Sequence, residues 1–93
     1  MNMTTSPVWQ EIDGEHVADS LQETCNKLNG DAGNVSLDFS SVHRIDPSAL
    51  KGLEELASLA DEKSVKIALR AVNVDVYRVL KLMKLASRFS FVA

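Results

Sequence analysis

The stretch Asn34 to Leu56, NVSLDFSSVHRIDPSALKGLEEL, decides the fold. Val35, Leu37 and Phe39 alternate with Ser36, Asp38 and Ser40, which is the period of a strand. Ser40 and Ser41 break the alternation, and Val42 and Ile45 carry apolar character on to Asp46. Asp46-Pro47-Ser48 then reads as a helix start. An Asp carboxylate accepts from the free amides of a first turn, and Pro suits the first helical position because its missing N–H would have had no partner. Leu50, Leu53, Leu56 and Ala57 follow at helical spacing, with Lys51, Glu54 and Glu55 between them.

Outward from this stretch, the same periods recur. Towards the N-terminus, Met1 to Pro7 is expected to be a loose tail, with a single domain over residues 8–93. Val8 to Ile12 is a short strand with Val8, Gln10 and Ile12 on one face. Asp13-Gly14 is a turn signal. Glu15 to Leu28 is a helix whose stripe is Val17, Leu21, Cys25 and Leu28. Asn29-Gly30 stops it, and Asp31 to Asn34 is a loop. Towards the C-terminus, Asp61 to Ser64 reads as a polar turn and Val65, Ile67 and Leu69 as a strand. Asn73 caps a third helix with Val76, Val79, Leu80 and Met83 as its apolar face. Leu85 to Ser87 is a turn, and Phe89, Phe91 and Ala93 face the core from a last short strand. Strands alternating with helices imply crossovers and an α/β fold, a small mixed but largely parallel sheet. So few helices cover mainly one face, and the opposite face is a possible contact surface.

The succession resembles the STAS family, the sulfate-transporter and anti-sigma-factor-antagonist domains. The matching residues are Val35 to Val42, Ile45-Asp46 and Leu50, then Val65 to Leu69 and Asn73 to Leu80, about two thirds of the chain. The resemblance implies two strands before the first helix, where this chain has room for one. It also implies a protein partner. In regulatory members a phosphorylated serine directly follows the Asp, and Pro47 stands there instead. Ser48 matches the second Ser/Thr of the motif, and Ala49 replaces its Gly. Ser48 is therefore the candidate phosphoacceptor. Asp38, Arg44, Asp46, Pro47, Ser48 and Lys51 are the candidate partner-binding residues.

Composition narrows the function classes. The formal net charge of −3 argues against a module that grips nucleic-acid backbone, although seven of the cations from Lys63 to Arg88 gather in the last third. Cys25 is the only cysteine, so no intrachain disulfide forms. No apolar run approaches the ~20 residues that cross a bilayer, and MNMTTSPVW lacks the pattern of a signal peptide; a cytoplasmic protein is expected. There is no phosphate-binding glycine loop, metal-ligand cluster or nucleophile elbow. His16 and His43 stand alone, and Asp38 with Asp46 is the one carboxylate pair that could converge. We expect no enzyme, no cofactor and no metal. The resemblance leaves two readings. One is an anti-sigma-factor antagonist that binds an anti-sigma factor of the serine-kinase type in a bacterial regulatory pathway. The other is a small STAS subunit docked on the ATPase of an ABC-type phospholipid-transport complex.

Overall fold

Alternating burial along the central strands follows from a sheet covered on one face only. The computed structural model describes residues 8–28 and 34–92. The expected tail, the Asn29-Gly30 stop, most of the Asp31 to Asn34 loop, and Ala93 lie outside the described residues. The elements run β1 (Val8–Glu11), α1 (Val17–Leu28), β2 (Val35–Asp38), α2 (Pro47–Lys63), β3 (Ile67–Arg70), α3 (Val74–Leu82) and β4 (Ser90–Val92), with a 3-10 turn at Ala86–Arg88 before β4. Among the described residues the sheet order is β1-β2-β3-β4 and every pairing is parallel. Right-handed crossovers that always step the same way put all three helices on one face. Val35, Leu37, Ile67 and Leu69 are buried beneath them, while Ser36, Asp38, Ala68 and Arg70 on the other face are only half-buried. On that open face the Arg70 guanidinium lies 5.8 Å from the centroid of the Trp9 ring, reaching across β2.

The helices start and stop by different means. The Asp46 carboxylate accepts from the Ala49 N–H at 2.8 Å, and Pro47 takes the first turn of α2. Leu53, Leu56 and Ala57 are buried and Leu50 half-buried. The helix does not stop at Asp61; it runs to Lys63 and closes on Ser64, whose φ is 57°. The Val65 N–H reaches back to the Ala60 carbonyl at 2.9 Å, a left-handed cap that usually recruits Gly. Val65 consequently belongs to the cap rather than to β3. The end of α3 repeats the device with Lys84 at φ 62° and the Leu85 N–H on the Leu80 carbonyl at 2.8 Å. That turn lifts Met83 into solvent, 47% exposed, instead of onto the core face. Val79 is half-buried, leaving Val76 and Leu80 as the buried pair of α3.

The first helix starts at Val17, where its apolar stripe begins, two residues after the expected Glu15. Its buried stripe includes Ser20 and Thr24, and Cys25 sits half-buried beside it. Both hydroxyls are satisfied: the Ser20 Oγ accepts from the Asp13 N–H at 3.1 Å, and Thr24 donates to the Ser20 carbonyl at 3.1 Å. Gly52 faces α1 across the α1–α2 contact, and a Cβ there would lie 3.2 Å from Leu21 Cδ1. Phe89 is buried, whereas Phe91 is 36% exposed at the sheet edge and stacks edge-on against Tyr77 of α3, centroids 5.1 Å apart.

Leu53, fully buried between the sheet and its neighbours, should cost roughly 2–5 kcal/mol of stability when cut to Ala. An unchanged denaturation midpoint would contradict its core position. Asn73 is a second sensitive point. Its Oδ1 caps α3 by accepting from the Val76 N–H at 2.7 Å, and its Nδ2 donates to the Val42 and His43 carbonyls, each at 3.3 Å. Asn73→Ala should cost at least the ~0.5–2 kcal/mol of a lost cap. Asn73→Asp keeps the cap but sets a carboxylate against two carbonyls, so it should also melt below wild type. An Asp variant as stable as wild type would remove the clamp from the account.

Candidate functional site

Because all strands point the same way, the loops leaving β1, β2 and β3 gather at one rim. In open α/β sheets ligands bind outside the carboxyl ends of the strands, at a reversal of strand order. This sheet has no such reversal among its described residues, so the rim is a candidate on its loop geometry alone. Each loop is held by short-range capping chemistry. After β1, the Asp13 carboxylate accepts from the Glu15 N–H at 2.9 Å and meets His16 Nδ1 at 3.2 Å. The Glu15 amide first, and His16 second, hold the Asp13 carboxyl below its ordinary value. After β2, Asp38 Oδ1 accepts from the Ser40 N–H at 2.9 Å. That amide is the main reason the Asp38 carboxyl is also lowered, with the Ser40 side chain and Arg70 adding to it. Both groups are therefore carboxylates at neutral pH, and their turn contacts loosen only as pH falls through values below the usual ~3.9.

The β1 and β2 loops touch through Gly14. A Cβ at that position would lie 1.9 Å from the Ser41 carbonyl oxygen, closer than any side chain allows. The β3 loop joins from the other side through Asn73. Ala71, at φ 60°, turns the chain after β3 and precedes this clamp. An L-residue in that region carries a cost of roughly 1–2 kcal/mol. The β2–α2 segment is thus held from both flanks before it enters α2.

Around the start of α2 the structure brings five of the expected partner-binding residues together. Arg44, Asp46, Pro47, Ser48 and Lys51 are all exposed. Beside them runs an open groove lined by Gly14, Glu15, Val17, Arg44, Ile45, Asp46 and Ala49. Asp38 does not join this group. It sits at the end of β2, in register with Glu11 and Arg70 on the open face. Asp38 and Asp46 each serve a backbone amide of their own loop, so the two carboxylates do not form a working pair. Ser48 points into solvent in the first turn, while Ala49, in the place of the motif's Gly, is buried.

Two residues of this rim exceed their sequence reading. Gly14 reads as an ordinary turn residue, and Asn73 as an ordinary cap; their loop contacts come from distant chain segments. Among the described residues no group of three or more His, Cys, Asp or Glu is placed to hold a metal. His43 is exposed, and His16 is engaged with Asp13. The Cys25 thiol is pushed up, chiefly by burial and then by Glu55, which disfavours the reactive thiolate. No described helix is long and apolar enough to cross a membrane.

Comparison with known proteins agrees with this architecture. The model of the STAS domain family matches residues 7–92. Several solved structures share the fold, among them these two. A proposed anti-sigma factor antagonist from Thermotoga maritima superposes with a TM-score of 0.71 at 21% identity, covering 88% of this chain and 72% of that one. A sulfate transporter family protein from Wolinella succinogenes gives 0.75 at 19% identity, covering 96% and 80%. Likeness at such identities speaks for the fold alone. The curated proteins give no match. With its strand order and nearly its whole length accounted for, the chain belongs to the STAS domain family.

Proposed function

We propose that the protein is a non-enzymatic, cytoplasmic interaction module that docks on a protein partner through the exposed start of α2. The reading follows the anti-sigma-factor antagonists: the partner is an anti-sigma factor of the serine-kinase type in a bacterial regulatory pathway. The observation that carries it is the exposed cluster of Arg44, Asp46, Pro47, Ser48 and Lys51 on a loop held from two sides. Preorganisation of that loop lowers the ordering cost of binding. The mixture of cations, a carboxylate and a rigid Pro suits recognition of a protein surface, with no cofactor and no metal. Asp38, lying apart from the cluster, enters this reading as an outer contact on the neighbouring face.

Pro47 gives the second reading its support. It occupies the position of the usual phosphoacceptor and has no hydroxyl, so the contact is less dependent on phosphorylation. Constitutive docking on the ATPase of an ABC-type phospholipid-transport complex fits that better than a reversible switch. Ser48 offers the only hydroxyl of the cluster, turned about 100° away from position 47. A phosphate there would meet the positive end of α2, which favours it, and Asp46, which opposes it.

The test recovers the protein from cells with its partner, identifies that partner and maps phosphorylation by mass spectrometry. Partner affinity is then compared for wild type, Ser48→Ala and Ser48→Asp. Kinase capture, phosphate on Ser48 and a Ser48→Ala variant locked in the bound state establish the switch. An ATPase partner with unmodified Ser48, and only Ser48→Asp impaired, establishes constitutive docking. Full binding by both variants removes the α2 start as the contact. Asp46 supplies a further check. Asp46→Ala should lose about 0.5–2 kcal/mol of stability, and Asp46→Asn should retain much of it because the amide oxygen still accepts. A partner that reads the carboxylate will bind Asp46→Asn more weakly at nearly unchanged stability.

A further inference from the structure

The sheet has two open edges of opposite charge. Among the described residues β1 pairs only with β2, and β4 only with β3. The β1–α1 edge exposes Glu11, Asp13, Glu15, Asp19 and Glu23 against Lys27, and Lys27 is drawn onto Gln10 of β1. The opposite edge exposes Arg78, Lys81 and Lys84 against Asp75. A chain of modest net charge is therefore strongly polar across its width. The basic edge is also apolar. Val74 is 64% exposed and Val92 38%, and both line a shallow groove with Tyr77 and Phe91 beside the unpaired backbone of β4. An unpaired strand edge with apolar side chains beside it is a template for strand addition.

We propose that the α3–β4 edge of one molecule receives the β1–α1 edge of a second copy, head to tail. A β1 strand laid along β4 continues the sheet in the same parallel sense. It keeps every helix on one face and sets the second copy's acidic α1 beside the basic α3. The symmetric alternatives, β4 on β4 or β1 on β1, bring like charges together and are disfavoured. A heterologous contact of this kind leaves a free edge at each end, so assemblies grow with concentration. The charges are exposed and act over about 8 Å at physiological ionic strength, so the association weakens as salt rises. Arg44, Asp46, Pro47, Ser48 and Lys51 lie outside this surface, and Glu15 borders both it and the groove beside them.

Sedimentation equilibrium of the whole chain tests this. At low ionic strength the weight-average mass should climb past that of a dimer with increasing concentration, and it should return to monomer on adding salt. Glu11→Lys/Glu23→Lys removes the acidic edge, and Arg78→Glu/Lys81→Glu removes the basic one. All four positions are exposed, and thermal melting checks that both variants remain folded. Each variant alone should be monomeric. Mixed, they should associate again, because the two intact edges complement each other and so do the two edges whose charges are reversed. A wild type that stays monomeric at every concentration overturns the proposal. So does a dimer that survives in both variants, since its contact lies elsewhere. A monomeric wild type that sediments with phosphatidylglycerol vesicles but not with phosphatidylcholine vesicles overturns it in favour of a lipid surface.

Discussion

Parallel pairing of four strands in sequential order is the constraint on which the rest of the molecule depends. A parallel pair cannot be joined by a tight turn, so each step needs a crossover, and here a helix crosses each time. The order never reverses, so the right-handed rule sends every helix to the same side. Three features follow. One sheet face is buried and one is open. The loops that follow β1, β2 and β3 converge at one rim. The first and last strands become edges with different helices beside them.

The open face is modest in its chemistry and specific in its arrangement. Ser36 and Ala68 are small, which leaves room for the Arg70 side chain to cross towards Trp9. A cation over an indole at an exposed site contributes about 0.5–1 kcal/mol. It also hides part of a large apolar ring that is still 56% exposed. Asp38 shares this face with Arg70, so its charge belongs to the sheet surface and not to the start of α2.

At the rim, rigidity is assembled from local parts. Asp13, Asp38 and Asp46 each bind an amide two or three residues on, which is ordinary turn and cap chemistry. The tertiary contribution is to tie these turns together. Gly14 lets the β1 loop press on the Ser41 carbonyl, and Asn73 ties the β3 loop to Val42 and His43. A partner meets a surface whose backbone is already placed, with Pro47 stiffening the one position where the family's regulatory members carry a hydroxyl.

The amino-acid sequence by itself determined the alternation of elements, the buried faces of β2 and β3, and the Asp46 and Asn73 caps. Those depend on period and on side chains within three residues of the groups they satisfy. It also placed Arg44, Asp46, Pro47, Ser48 and Lys51 around one helix start, because neighbours there are neighbours in space. Helix ends were less legible. Ser64 and Lys84 close α2 and α3 in a left-handed conformation that favours Gly, and neither carries that mark. Only tertiary structure decided that the described strands all pair in parallel, that Phe91 sits half-exposed at an edge, and that Asp38 stands apart from Asp46. It alone decided that Gly14 and Asn73 clamp one loop from two sides and that acidic and basic residues face opposite ways. Apart from the separation of Asp38 and Asp46, which lie either side of one loop, these are relations between segments 20 or more residues apart, set by which strands pair and which way they run. No local period encodes them.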